Sequence, residues 1–169
     1  MIYDQPTNYS TLMNTPEFEL RISRLTWLRL VWQLRRRGGG RRESGAFLLG
    51  PRSGGSVSSF VCYDDLDPRS LNTGIIRFDG SGYVPLWKIC AERNLKVVAD
   101  VHTHPGLWTD QSDSDINHPM VAQKGHLALI LPEFAQHSWC GSKGSGFFRY
   151  LGDGDWETLS LESLHLSLF

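Results

Sequence analysis

No run of apolar residues in these 169 residues approaches the roughly 18 that a membrane-spanning helix requires, so a transmembrane chain is not expected. Cysteine is scarce: Cys62, Cys90 and Cys140 are odd in number, far apart and without a CxxC pair. That disfavours a disulfide framework or a cysteine-rich zinc site, and a reducing, cytoplasmic setting is expected. An excess of charge is also lacking. At a net charge of −1 the chain as a whole has no general attraction for nucleic acid or an anionic membrane, and neither is expected as a partner. The opening MIYDQPTNYSTLMN has neither the basic region nor the apolar core of a secretory signal, in keeping with a cytoplasmic location.

What is present is ordinary globular material, 40% hydrophobic and 21% charged, in a length that suits one domain with one core. Residues 1–16 are polar and aperiodic and are expected to form a flexible arm ahead of a single domain over 17–169. FELRIS alternates like a short strand ending at Ser23. From Leu25 onward apolar residues recur on one broad helical face until RRRGGG stops the helix with positive charge and then glycine. ESGAFLLG and SVSSFVCYD read as strands joined by a turn around PRSGGS, and TGIIRF as a further short strand. GYVPLWKICAERN reads as a helix, with Pro85 tolerated in or near its first turn. LKVVADVH is the central buried strand, a short helix starts at Ser112, and GHLALILP and GFFRYL supply later strands. The resulting order predicts an α+β (α/β-type) layered fold, with helices against a mixed β-sheet.

LRRRGGGRR concentrates positive charge and has two readings: a solvated helix end and turn, or a patch that meets an acidic partner. The chemistry points elsewhere, to DVHTHPGLWTDQSDSD. His102 and His104 end an extended run at i and i+2, so both imidazoles face the same way and can converge on one point. Ser112 has the character of a helix N-cap, with Asp115 on the same side of the first turn. Taken alone, Asp113 and Asp115 suit a helix N-terminus. Next to two histidines, one carboxylate becomes a natural third ligand. Two histidines and one carboxylate leave a fourth position open, the pattern of a catalytic rather than a structural zinc. The same donor set occurs in iron oxygenases, often on all-β barrels, which the two long predicted helices oppose.

His102-X-His104, seven residues, then Ser112-X-X-Asp115 fits the JAMM signature. Glu43 in ESGAFLLG matches the upstream glutamate of that signature. The chain therefore resembles the JAB/MPN zinc metalloproteases over roughly residues 24–151, and HPMVAQKGHLALILP looks like their bacterial branch. The resemblance implies the MPN/JAB1 (cytidine deaminase-like) fold and one Zn2+ held by His102, His104 and Asp115. It implies Glu43 as the acid–base residue acting on the attacking water, and Ser112 as hydrogen-bond donor to the oxyanion. The activity implied is that of an isopeptidase or peptidase cutting after the C-terminal glycine of a ubiquitin-like protein or its conjugate. Ubiquitin-conjugating-type enzymes of the same operon, including those of antiviral systems, are the implied partners. Rival readings within the family are processing of a sulfur-carrier protein and a non-catalytic MPN scaffold. Asp110 reads as a turn residue and Asp113 as a helix-dipole residue. His118 is an outer group or packing, and His126, His137 and His165 lack ligand spacing. Trp108, between the ligands, lines a groove or simply packs.

Overall fold

The computed structural model describes residues 18–168, so the arm expected over 1–16 lies outside the described residues. The first helix, α1 (Arg24–Gly38), forms for the reasons its sequence offers. Ser23 caps it by accepting a hydrogen bond from the Thr26 amide, and Gly39 ends it in the left-handed conformation at φ 59°. Its inner face buries Trp27, Leu30, Val31 and Leu34. A second long helix, α3 (Tyr83–Glu92), buries Leu86 and Cys90, and Pro85 falls in its first turn as expected. Two short helices, α2 (Tyr63–Leu66) and α4 (Asp113–Asn117), complete the helical content of the described residues apart from 3-10 turns.

A mixed sheet of six strands runs in the order β4 (Ser59–Cys62), β2 (Gly45–Pro51), β5 (Leu95–Thr103), β6 (Leu127–Leu131), β7 (Gly146–Gly152), β8 (Asp155–Thr158). Only β5 and β6 pair in parallel within it; the other neighbours are antiparallel. A smaller parallel sheet joins β1 (Leu20–Ser23) to β3 (Ser56–Val57) and to β9 (Leu164–Ser167). The α+β class, with a mixed sheet flanked by helices, is as the sequence predicts. No helix of the described residues is long and apolar enough to cross a membrane.

The sheet has an apolar cluster on each face. α1 packs with Ala46, Leu48, Ala99, Val101 and Leu129, whereas α3 packs with Phe47, Leu49, Tyr63 and Val97. Alternation along β5 is re-phased by one inserted residue: Leu48 pairs with Ala99 and Leu49 with Val97, so Val98 has no partner on β2. Val98 and Ala99 consequently both join the α1 cluster, and Asp100 and His102 face the α3 side. Because a parallel pair cannot be closed by a tight turn, the chain crosses from β5 to β6 through residues 104–126. That crossover carries the motif.

One expected strand is absent. TGIIRF, residues 73–78, enters no sheet, because its backbone groups are taken by loop residues. Gly74 accepts from the Glu43 amide (2.9 Å), Ile75 accepts from the Thr73 hydroxyl (3.0 Å), and the Arg77 amide donates to Ser70 (2.9 Å). Apolar residues there look strand-like in pattern, but the neighbour they serve is a loop.

Candidate metal centre

Antiparallel pairing of β2 with β5 sets Gly45 opposite His102. Beyond the strand, the Thr103 amide donates to the Ser44 carbonyl (3.0 Å) and the Ser44 amide to Thr103 Oγ1 (3.1 Å). Carried one step further, that register puts Glu43 opposite His104, on the face from which both imidazoles project. Gly45 itself is required. A Cβ there would lie 2.2 Å from Cε2 of Tyr63 and 2.8 Å from the Val101 carbonyl oxygen.

His102 and His104 are buried, with their Nε2 atoms 3.2 Å apart. Asp115 arrives from the first turn of α4, its Oδ1 at 3.3 Å from His102 Nε2 and its Oδ2 at 3.4 Å from His104 Nε2. One ligand atom from each of the three residues lies within 4.8 Å of the others, an arrangement that can hold a metal ion. Donor chemistry supports the fit. His104 Nδ1 lies 3.1 Å from the Trp108 carbonyl, which can only accept. That hydrogen bond places the proton on Nδ1 and leaves the Nε2 lone pair aimed at the cluster, the tautomer a metal needs.

α4 is built around its ligand. The Ser112 hydroxyl donates to Asp115 Oδ2 (2.7 Å), the Ser112 amide donates to the same oxygen (2.8 Å), and the Asp115 amide donates back to Ser112 Oγ (3.3 Å). This capping box, expected from the sequence as an N-cap, also fixes the carboxylate that faces the histidines. Partial burial pushes the Asp115 carboxyl up. Hydrogen bonding with His102 and His104, the charge of His102 and the Ser112 hydroxyl outweigh it and hold the group well below the usual carboxylate range. Burial likewise lowers His102, but the facing Asp115 more than compensates and the imidazole is raised. Glu43 is half-buried, and burial raises it above the ordinary carboxylate value despite the attraction of His102, His104 and the Ile76 amide. The Ile76 amide donates to its Oε2 at 3.4 Å.

The remaining sequence candidates separate clearly. Trp108 packs and is exposed at once: its ring stacks on His104, centroids 5.4 Å apart and planes 19° apart, while the residue stays 55% exposed. Asp110 lies exposed in the loop, and Asp113 sits exposed in the first turn of α4. His118 is exposed at the end of that helix, outside the cluster. His126, unremarkable by spacing, is buried, with Nε2 2.7 Å from Asp100 Oδ1; Asp100 Oδ2 accepts from the buried Tyr63 hydroxyl (3.1 Å). Its only sequence signal was Asp100 itself, two residues before His102 and on its face of β5.

A left-handed turn closes the site from behind. Glu133, Phe134 and Ala135 have φ of 51°, 52° and 61°, a conformation that costs a non-glycine residue about 1–2 kcal/mol. In return the Glu133 amide donates to the Gly106 carbonyl (2.9 Å) and the Phe134 amide to the His104 carbonyl (2.8 Å). Strain of this kind persists only where the surroundings hold it, and here it holds the loop that carries His104.

No family model matches the chain. Among solved structures it is similar to protein DSY2949 from Desulfitobacterium hafniense, with 13% identity and a TM-score of 0.58 over 87% of this chain and 92% of that one. AF2198, a JAB1/MPN domain protein from Archaeoglobus fulgidus, aligns at 16% identity and a TM-score of 0.46, over 87% and 96% of the two chains. At 13% identity, the likeness to the Desulfitobacterium protein is one of fold.

Proposed function

We propose that this chain is a zinc-dependent peptidase that hydrolyses the amide or isopeptide bond after the C-terminal glycine of a ubiquitin-like protein. One observation carries the reading: His102, His104 and Asp115 converge within 4.8 Å in the spacing of the JAMM signature, and the strand register brings Glu43 to the same face. Two imidazoles and a carboxylate suit zinc and leave a coordination position open. Bound there, zinc would supply Lewis acidity to a water molecule and to the scissile carbonyl.

The chain's own groups would do the rest. Glu43 is suited to proton transfer because burial raises its carboxyl above the ordinary carboxylate value, which favours taking a proton from water and returning it to the leaving nitrogen. Ser112 has one hydroxyl proton, and it is directed at Asp115. Orienting that ligand is its first role, and it can serve an oxyanion only by turning the proton away. Trp108 and Leu107, 55% and 76% exposed, offer an apolar rim beside His104 along which an extended tail can lie.

The test is a fusion of a ubiquitin-like protein, through its C-terminal glycine, to a reporter, incubated with zinc-loaded enzyme. Mass spectrometry should place the cut after the final glycine. Glu43→Gln should lower the rate about 10²–10⁴-fold with zinc still bound. A Glu43→Gln enzyme of full activity would remove Glu43 from the chemistry, and cleavage elsewhere in the fusion would refute the glycine specificity.

A further inference from the structure

The basic run takes no part in the candidate metal centre. Between Leu20 and Arg42 the chain has eight arginines, no lysine and no carboxylate, although its net charge is −1. Arg37 is absorbed by the fold, pairing with Asp64 and Asp65. Arg35 and Arg36 are not: among the described residues neither meets a carboxylate. Their guanidinium groups lie instead over indole rings, Arg35 at 4.8 Å from the Trp139 centroid and Arg36 at 5.5 Å from that of Trp32. These four side chains, with Phe134 and Gln136, line a surface groove of about 520 Å³. It belongs to the α1 side of the sheet, the face away from the histidines.

Three further features set this groove apart from an ordinary solvated helix end. Trp32 is 50% exposed, and Leu25 and Leu28 extend its stripe along α1 at helical spacing, also exposed. Phe134 is displayed by the left-handed turn, so backbone strain is maintained where the groove is formed. Stacking on indole also holds the two guanidinium forks in place, which lowers the ordering cost of meeting a carboxylate.

We propose that this groove docks an acidic protein segment that seats one bulky apolar side chain against Trp32, Phe134 and Trp139 and offers carboxylates to Arg35 and Arg36. Tryptophan and arginine are the residues that dominate binding energy at protein interfaces. A symmetric contact with a second copy would set arginine against arginine and is disfavoured. Single-stranded nucleic acid would use the indoles and guanidiniums but has nothing for the exposed Leu25 and Leu28, against which a protein segment can lay further apolar side chains. A bilayer needs a broad apolar helix face, and the inner face of α1 is already committed to the core.

The experiment is selection of a random-peptide phage library on the full chain, followed by titration of the selected peptides through tryptophan fluorescence. The expected consensus is aspartate and glutamate flanking one large apolar residue, with affinity falling as salt rises. Trp32→Ala and the double variant Arg35→Gln/Arg36→Gln should each weaken binding about tenfold or more at an unchanged melting temperature. Arg29→Gln, on the same helix outside the groove, should leave binding intact. A consensus without carboxylates, or peptides indifferent to these variants, overturns the proposal. So does tighter binding of oligothymidylate or phosphatidylserine vesicles that the same variants abolish, or self-association of the chain lost in Trp32→Ala. Because the readout is binding, the result stands apart from whether the chain is a peptidase.

Discussion

The two faces of strands β2 and β5 are made from alternate residues of the same backbone, and they differ in kind. Toward α1 the sheet presents Ala46, Leu48, Ala99 and Val101, covered by Trp27, Leu30, Val31 and Leu34. The one polar handle in that cover, the Trp27 indole, donates to the Ser138 carbonyl at 2.8 Å. Toward α3 the face begins apolar with Phe47 and Leu49, then turns polar along β5 through Asp100, His102 and, just past the strand, His104. Burying such groups is costly unless each has a partner. Asp100 has Tyr63 and His126, and the two histidines have Asp115 and each other. One face can thus be optimised for packing while the other holds groups at a site, because the pleat separates them.

The separation is tested first by its largest effect. His102→Ala or Asp115→Ala should reduce bound zinc from one equivalent to none, read by elemental analysis, with the far-ultraviolet dichroism of the parent. Stoichiometric zinc in either variant would mean that the ligands are others. On the opposite face, Trp27→Ala removes a fully buried indole and should cost about 3–5 kcal/mol in urea unfolding. The folded fraction should still bind zinc with the affinity of the parent. A lower affinity there would show that the faces are mechanically coupled, with the Ser138 contact and the left-handed turn as the path.

Between these lies Ser112, whose hydroxyl both caps α4 and restrains Asp115. Ser112→Ala should cost about 1 kcal/mol of stability through the lost cap. It should also weaken zinc binding about 10–100-fold through the lost restraint. Ser112→Thr, which keeps the hydroxyl, should restore most of both. Loss of stability alone would confine Ser112 to capping.

What the sequence made legible follows from how local each signal is. α1, α3 and β5 announce themselves by periodicity, α1 also by the glycines that follow its last arginines and α3 by a proline its first turn can hold. The convergence of His102, His104 and Asp115 was readable because an i, i+2 pair on a strand and an N-cap three residues before a carboxylate are short-range geometry. The Asp100–His126 pair was not, since only the parallel docking of β6 on β5 brings those positions together. β9 pairs with β1 from the far end of the chain, and no local pattern encodes that partnership. The Val98 bulge depends on β2 and is equally silent. TGIIRF misled because apolar spacing reports which side chains are sheltered and says nothing of where the backbone hydrogen bonds go.

The smallest expected effect sharpens the comparison most, because it asks whether the polar face is held at a cost. Burial raises the Glu43 carboxyl in the folded, metal-free protein above its value in the unfolded chain. Well below the ordinary carboxylate value Glu43 is protonated in both states and costs nothing. As pH rises, the unfolded chain ionises first, because the native state accommodates the charge less well. Glu43 therefore withdraws stability as pH rises through its folded value. Glu43→Gln keeps an oxygen for the Ile76 amide and removes the charge. Metal-free Glu43→Gln should melt with the parent in acid and above it at neutral pH, by less than about 1 kcal/mol because water still screens the group. Equal melting at both pH values would mean that the carboxylate rests there without strain, and proton transfer would lose the physical ground given for it.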